Sequence, residues 1–110
     1  MAIKWLPPES IRFQIYNKPT DVWSFGVLLW EVFSLGECPY SHLGNNEILR
    51  ELDNGFRLEV PKEVEDDVED VIYCCWHLEP ELRPNFNDLA EFFATKISND
   101  TLIYYKNIVK

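Results

Sequence analysis

Basic side chains are scarce in this sequence, and their scarcity excludes some classes of partner. The 110 residues include 10 Lys and Arg against 19 Asp and Glu, which gives a net charge of −9 at pH 7. The isoelectric point lies near 4.6. Nucleic acids and anionic lipid surfaces are bound mainly through clustered Lys and Arg. We therefore expect no nucleic acid partner and no membrane contact by this segment.

Glycine and cysteine are also few, with 4 and 3 residues in the chain. No two glycines stand in a G-x-G arrangement, so the sequence predicts no glycine-rich loop around phosphate groups. The cysteines have neither disulfide nor metal-site spacing, and Cys74 and Cys75 are adjacent among apolar residues. We expect this pair to be buried and no metal to be bound. Free cysteines and the absence of a secretory signal at the first residues favour a cytoplasmic location.

Apolar residues, in contrast, are abundant, with 46% hydrophobic and 15% aromatic residues. The densest apolar stretch is 22–35, where Ser24, Glu31 and Ser34 are the only polar side chains. A helix this apolar around its circumference is buried in a protein core or in a membrane. With Glu31 inside, it falls short of the roughly 17 to 25 largely uncharged residues that span a bilayer. We predict a central helix that is enclosed by protein.

The central helix is predicted to cover about 20–35. Thr20 offers a hydroxyl for the N-cap, and Asp21 places a negative charge in the first turn. Gly36 suits the left-handed conformation that ends many helices.

Periodicity predicts the remaining elements. Apolar residues recur at helical spacing, or helix-start signals occur, near 7–13, 45–53, 68–76 and 86–97, with Asn85 as a cap for the last of these helices. No convincing strand pattern occurs before residue 98. The sequence therefore predicts an all-α fold in which amphipathic helices pack around one buried central helix.

Three short sequences, KWLPPES, DVWSFGVLLWE and LRP, occur in this order along the chain. Their order and spacing resemble the C-terminal half of a protein kinase domain, and specifically of a tyrosine kinase. The resemblance implies that residues 1–97 form part of the helical C-lobe of that fold, from the end of the substrate-positioning loop to the last helix. Residues 98–110 would be a C-terminal tail.

The resemblance implies a substrate-positioning role for four residues near the N-terminus. Lys4, Trp5 and Leu6 would belong to the loop that seats the substrate tyrosine, and Pro7 would follow in the signature that reads Ala-Pro-Glu in most members. Pro7 replaces that alanine here. Because the Pro-Pro-Glu form is similar to some receptor tyrosine kinases, the variant favours the receptor branch, whose kinase domain is the cytoplasmic part of a plasma-membrane receptor.

The same resemblance implies structural roles for three further residues. Glu9 would pair with Arg83, since a planar guanidinium can hold a carboxylate through two hydrogen bonds. Asp21 would accept hydrogen bonds from the backbone of the catalytic loop. Separately, the position of Trp23 on the central helix predicts that it is a core aromatic.

Phosphoryl transfer in this family depends on motifs that this sequence does not contain. There is no His-Arg-Asp motif, no Asp-Phe-Gly motif and no glycine-rich loop. In the order of the family these motifs would precede Met1, so we expect a segment truncated before the catalytic loop. We expect no catalytic residue and no cofactor for the segment itself, whereas the complete domain would use ATP and Mg. Whether the chain is an enzyme therefore stays open.

Two functions remain in competition. The chain is either part of a protein tyrosine kinase domain, with the remainder of that domain and tyrosine-containing substrates as partners, or a non-catalytic interaction module or pseudokinase remnant. Near the C-terminus, Asn107 stands two residues after Tyr105. This spacing makes Tyr105 a candidate phosphorylation site that an SH2 adaptor would bind.

Overall fold

The structure, a computed structural model, describes the backbone of residues 2–108 and the side chains of residues 2–100, 106 and 107. Within this part of the chain there are helices and no strands, so the predicted all-α fold class is confirmed. Five α-helices and two short 3-10 helices follow one another: a 3-10 helix Ile3–Trp5, α1 Pro8–Phe13, α2 Lys18–Phe33, α3 Asn45–Asp53, α4 Asp66–Cys75, a 3-10 helix Pro80–Leu82, and α5 Phe86–Ile108.

Helix α2 is the predicted central helix, and one of its faces forms the middle of the core. Val22, Trp23, Val27 and Trp30 on this face are all less than 7% exposed. Helix α4 packs closely against α2 at Gly26, where an added Cβ atom would lie 2.7 Å from Trp76 Nε1 and 2.9 Å from Cys75 Cβ. The absence of a side chain at this position therefore sets how closely the two helices approach.

The start of α2 differs from the predicted cap at Thr20. The helix begins at Lys18 and its N-cap is Asn17. The Thr20 N–H donates to Asn17 Oδ1 at 3.3 Å, while the Asn17 N–H donates to Thr20 Oγ1 at 3.2 Å, which is a capping box. The predicted cap was wrong by three residues. Pro19 fits the first turn of a helix and need not precede it, so the helix can begin before Thr20.

The end of α2 has the left-handed backbone that Gly36 predicts. The helix ends at Phe33, after which Leu35 and Gly36 have φ values of 61° and 87°. The Gly36 N–H donates to the Glu31 carbonyl at 2.8 Å, which satisfies one of the free carbonyl groups of the last turn.

The second face of α2 is open in the part of the chain that the structure describes. Leu28 is 52% exposed and Val32 is 60% exposed, although both belong to the apolar stretch. Asp21 is also exposed. The described residues therefore leave the part of the central helix around Leu28 and Val32 uncovered.

The adjacent cysteines differ in burial, which corrects the expectation that both are buried. Cys75 is buried and Cys74 is exposed. Successive residues of a helix point about 100° apart, so only one of the two can face α2. Burial raises the pKa of the Cys75 thiol to about 12.

Helix α5 continues past the predicted end of the domain at residue 97. Its backbone is helical as far as Ile108, through most of the segment that was predicted as a separate tail. The domain boundary at 97 stays a prediction. No helix in the described ranges is long and apolar enough to cross a bilayer.

Replacement of Gly26 by Ala tests the packing of α4 on α2. Alanine favours the helix by about 1 kcal/mol, but its Cβ would overlap Trp76 and Cys75, and overpacking of this kind costs about 1 to 3 kcal/mol. We expect a net decrease in the free energy of unfolding, measured by urea denaturation. Leu28→Ala on the exposed face of the same helix is the control, with a change within about 0.5 kcal/mol. Equal or greater stability of the Gly26→Ala variant would contradict the packing.

The buried Tyr40 and Cys75 predict a loss of stability at alkaline pH. Burial, partly offset by Arg57, raises the pKa of Tyr40 from 10.0 to about 12, and burial raises that of Cys75 from 9.0 to about 12. The folded chain keeps these protons where the unfolded chain releases them. Stability is therefore complete below about pH 9 and falls as pH rises toward about 12, by up to about 1.4 kcal/mol per pH unit for each group.

Urea denaturation at about pH 8 and about pH 11 measures this dependence. We expect Tyr40→Phe to reduce the loss of unfolding free energy between these two pH values, because the phenol is then absent from both the folded and the unfolded state. Tyr16→Phe is the matched control, since Tyr16 is 58% exposed. If Tyr40→Phe loses as much unfolding free energy between these pH values as the unaltered chain, Tyr40 is not the group that titrates.

Candidate functional site

Arg83 makes a buried ion pair with Glu9, so the structure brings these two predicted partners together. Nη1 donates to Glu9 Oε2 at 2.7 Å and Nη2 donates to Oε1 at 2.9 Å. The Arg83 side chain is 0% exposed and that of Glu9 is 16% exposed. Arg83 also donates to the carbonyls of His77 at 2.9 Å and Pro19 at 3.0 Å. These bonds join α1, the start of α2 and the segment before α5.

Trp23 lies in the core, and two guanidinium groups lie near its ring. The Cζ atom of Arg83 is 5.0 Å from the ring centre, and that of Arg57 is 5.1 Å from it. A cation near the face of an indole is attracted by the ring, more strongly where water is excluded. Arg57 also donates to the carbonyls of Trp76 and Leu52, both at 2.9 Å. Burial is the largest influence on the pKa of Arg57 and lowers it.

We use the name substrate segment for residues 4–7, whose role in positioning a substrate stays a prediction; this segment lies against α2. The Trp5 indole N–H donates to Glu31 Oε1 at 2.5 Å, and Ser24 Oγ donates to the Trp5 carbonyl at 2.6 Å. The Lys4 ammonium donates to Cys38 Sγ at 3.4 Å. Leu6 and Pro7 are buried, whereas Lys4 and Trp5 are half-buried. The segment therefore combines a fixed backbone with partly accessible side chains.

Asp21 is exposed at the start of α2 and borders a surface cleft. Lys18, Asn85 and Phe86 also line this cleft. Because Asp21 is exposed, its carboxylate is accessible to a partner. Its predicted bonds to a catalytic loop stay a prediction.

Sequence reasoning missed the roles of Glu31, Ser24 and Arg57. For the first two there was a signal, because polar side chains inside an apolar helix need partners. Arg57 gave no comparable signal. Its partners are backbone carbonyls and the Trp23 ring, and only the folded structure brings them close to it. The Tyr105 side chain lies outside the described residues. Among the described residues, no group of three or more His, Cys, Asp or Glu is placed to hold a metal ion.

Comparison with known proteins identifies the family. The sequence profile described as protein tyrosine and serine/threonine kinase matches residues 1–93. This match covers most of the chain, so the chain belongs to the protein tyrosine and serine/threonine kinase family.

Tyrosine kinases are among the similar proteins. The chain is 44% identical over 89 residues to mouse Tyrosine-protein kinase Fer, a match that covers 81% of the chain and 11% of Fer. It is 35% identical over 108 residues to Tyrosine-protein kinase HTK16 of Hydra vulgaris, with 98% of the chain and 14% of HTK16 covered. It is also 36% identical over 109 residues to Platelet-derived growth factor receptor alpha of Takifugu rubripes, with 98% and 10% covered.

These matches confirm the predicted resemblance. The chain is part of a protein tyrosine kinase domain, and it spans between 10% and 14% of the length of the three relatives named above. The likeness to a growth factor receptor supports the receptor-like character predicted from Pro7. The alternative of a non-catalytic interaction module is not favoured. Membership of the family implies ATP and Mg in the full domain.

Replacement of Glu9 by Ala tests the buried ion pair. The change leaves the fully buried Arg83 charge without its carboxylate, and we expect the free energy of unfolding to fall by about 3 to 5 kcal/mol. Denaturant unfolding followed by circular dichroism measures the change.

The pair of Arg12 and Asp53 provides the matched control. These side chains are 40% and 35% exposed, so Asp53→Asn should cost less than about 1 kcal/mol. Equal costs in the two variants would mean that burial does not set the strength of the Glu9–Arg83 pair.

Proposed function

We propose that this chain is the substrate side of a kinase domain that transfers the γ-phosphate of ATP to tyrosine in proteins. The observation that carries the proposal is the fixed position of the substrate segment on α2. Phosphoryl transfer depends mainly on placing the acceptor in line with the phosphate and on neutralising charge. The residues of this chain would supply the first of these requirements, by holding the acceptor peptide.

The substrate segment would seat the acceptor tyrosine and the residue that follows it. Lys4 and Trp5 present partly accessible side chains, whereas Leu6 and Pro7 fix the backbone by burial. Directly after this segment, the pair of Glu9 and Arg83 holds α1 against the rest of the fold. A rigid support of this kind reduces the conformational entropy that the segment itself would lose when a peptide binds in a reactive position.

The remainder of the kinase domain would cover the open face of α2. Leu28 and Val32 are more than half exposed on this face, and adjacent exposed apolar side chains favour contact with another protein surface. Asp21, whose carboxylate is accessible, would accept hydrogen bonds from the catalytic loop. ATP and Mg would bind to the parts of the domain that carry the phosphate-binding motifs.

A cytoplasmic location and a phosphotyrosine-binding partner are further parts of the proposal. Free cysteines at Cys38, Cys74 and Cys75 suit a reducing compartment, and the domain would be the cytoplasmic part of a receptor if the receptor branch is correct. Phosphorylated Tyr105, followed by Asn107, would bind an SH2 adaptor. If a phosphorylated peptide of residues 100–110 binds no SH2 domain, the proposed SH2 partner is wrong.

A chimeric kinase tests the proposed function. The segment of the mouse Fer kinase domain that matches this chain over 89 residues is replaced by the corresponding residues of this chain. We expect the chimera to phosphorylate a tyrosine peptide with ATP and Mg, and the purified chain alone to transfer no phosphate.

The control is the Fer kinase domain from which the same segment is deleted, and it should be inactive. A chimera that melts cooperatively but transfers no phosphate would contradict the proposed function. Phosphate transfer by the purified chain would contradict the assignment of this segment to the substrate side alone.

A further inference from the structure

Glu31 is an acidic residue in an otherwise apolar stretch of α2, and its contact with Trp5 explains how that stretch accommodates it. A carboxylate loses hydration when it is half-buried, and hydrogen bonds must offset that loss. The Trp5 indole N–H donates to Glu31 Oε1 at 2.5 Å. A hydrogen bond to a charged acceptor is stronger than one between neutral groups. The contact therefore offsets part of the desolvation of Glu31 and fixes the indole ring.

Ser24 makes the second contact to the same residue. Its hydroxyl donates to the Trp5 carbonyl at 2.6 Å. Ser24 and Glu31 are seven residues apart, which is about two turns, so they lie on the same face of α2. One contact holds the backbone of Trp5 and the other holds its ring. Together they fix both the position and the orientation of a single residue.

The substrate segment has little structure of its own to maintain this position. Around Trp5 the backbone bonds of the short 3-10 helix run from Trp5 N to the Ala2 carbonyl and from Leu6 N to the Ile3 carbonyl, both at 3.1 Å. An isolated helical turn is unstable because few hydrogen bonds offset the ordering of its backbone. The contacts to α2 therefore supply the order that the segment itself lacks.

We propose that Ser24 and Glu31, named here the Trp5 clamp, are positioning residues that set the affinity for the tyrosine substrate. The inference rests on the proposed function of the substrate segment. The clamp touches no substrate; it holds Trp5, and through Trp5 the neighbouring Lys4 and Leu6, in the conformation that receives the peptide. Loss of the clamp weakens peptide binding without altering the site for ATP.

Steady-state kinetics of the Fer chimera test the clamp. For Glu31→Ala we expect the KM for the tyrosine peptide to rise about tenfold, which corresponds to loss of one charge-assisted hydrogen bond. The KM for ATP and kcat should change less than about twofold. Glu31→Gln should show a smaller rise, because the amide oxygen still accepts the indole N–H.

Trp5→Phe removes the indole donor and keeps an aromatic ring. If the clamp acts through Trp5, this variant and the double variant with Glu31→Ala should have the same peptide KM. Glu63→Ala is the matched control, since Glu63 is an exposed glutamate outside the clamp. A peptide KM that is unchanged by Glu31→Ala would overturn the positioning role. An equal rise in the KM values for ATP and for the peptide would also overturn it.

The nuclear magnetic resonance spectrum of the chain itself separates the clamp from the proposed function. The chain has 4 tryptophans, and Trp5→Phe identifies which indole N–H signal belongs to Trp5. Glu31→Ala should shift this signal strongly and the other three weakly. An unshifted Trp5 signal would overturn the clamp. An inactive chimera together with the expected shift would overturn the proposed function and leave the Trp5–Glu31 contact confirmed.

Discussion

The buried guanidinium of Arg83 is the constraint on which the rest of the structure depends. A charge with 0% side-chain exposure is stable only if its donors are paired, and here the partners come from distant parts of the chain. Glu9 is 74 residues away in sequence, and the carbonyls of Pro19 and His77 add two further segments. The ring centre of Trp23 lies 5.0 Å from the Cζ atom of this guanidinium. The hydrogen bonds of the Arg83 guanidinium therefore all form only when α1, α2 and the segment before α5 are in contact.

Different faces of helix α2 make different contacts. One face, with Val22 and Val27, is fully buried against the other helices. Ser24 and Glu31 hold Trp5 of the substrate segment. Between these regions Leu28 remains exposed. A segment held by a rigid helix is positioned more closely than one held by a loop, and Trp5 is held in this way by two side chains of α2.

Much of the helical architecture was predictable, because it depends on local signals. The bounds of α3 agree with the prediction of 45–53, and Asn85 caps α5 as expected, since its Oδ1 accepts the Asp88 N–H at 2.8 Å. The start of α2 was not predicted, because Thr20 serves equally well as an N-cap or as the third helical residue of a capping box. Choosing between them required the position of Asn17. Of the candidate site, the contact of Glu9 with Arg83 followed only from resemblance to a family.

By itself the sequence determined the helical fold class, the presence of an apolar central helix and the kinase resemblance, because periodicity and short motifs are local properties of a chain. Only the tertiary structure decided which cysteine of the adjacent pair is buried, which face of α2 is open, and which partners Glu31 and Arg57 have. These features depend on contacts between residues that are distant in sequence. Their geometry is set by how whole helices pack, and no local pattern encodes it.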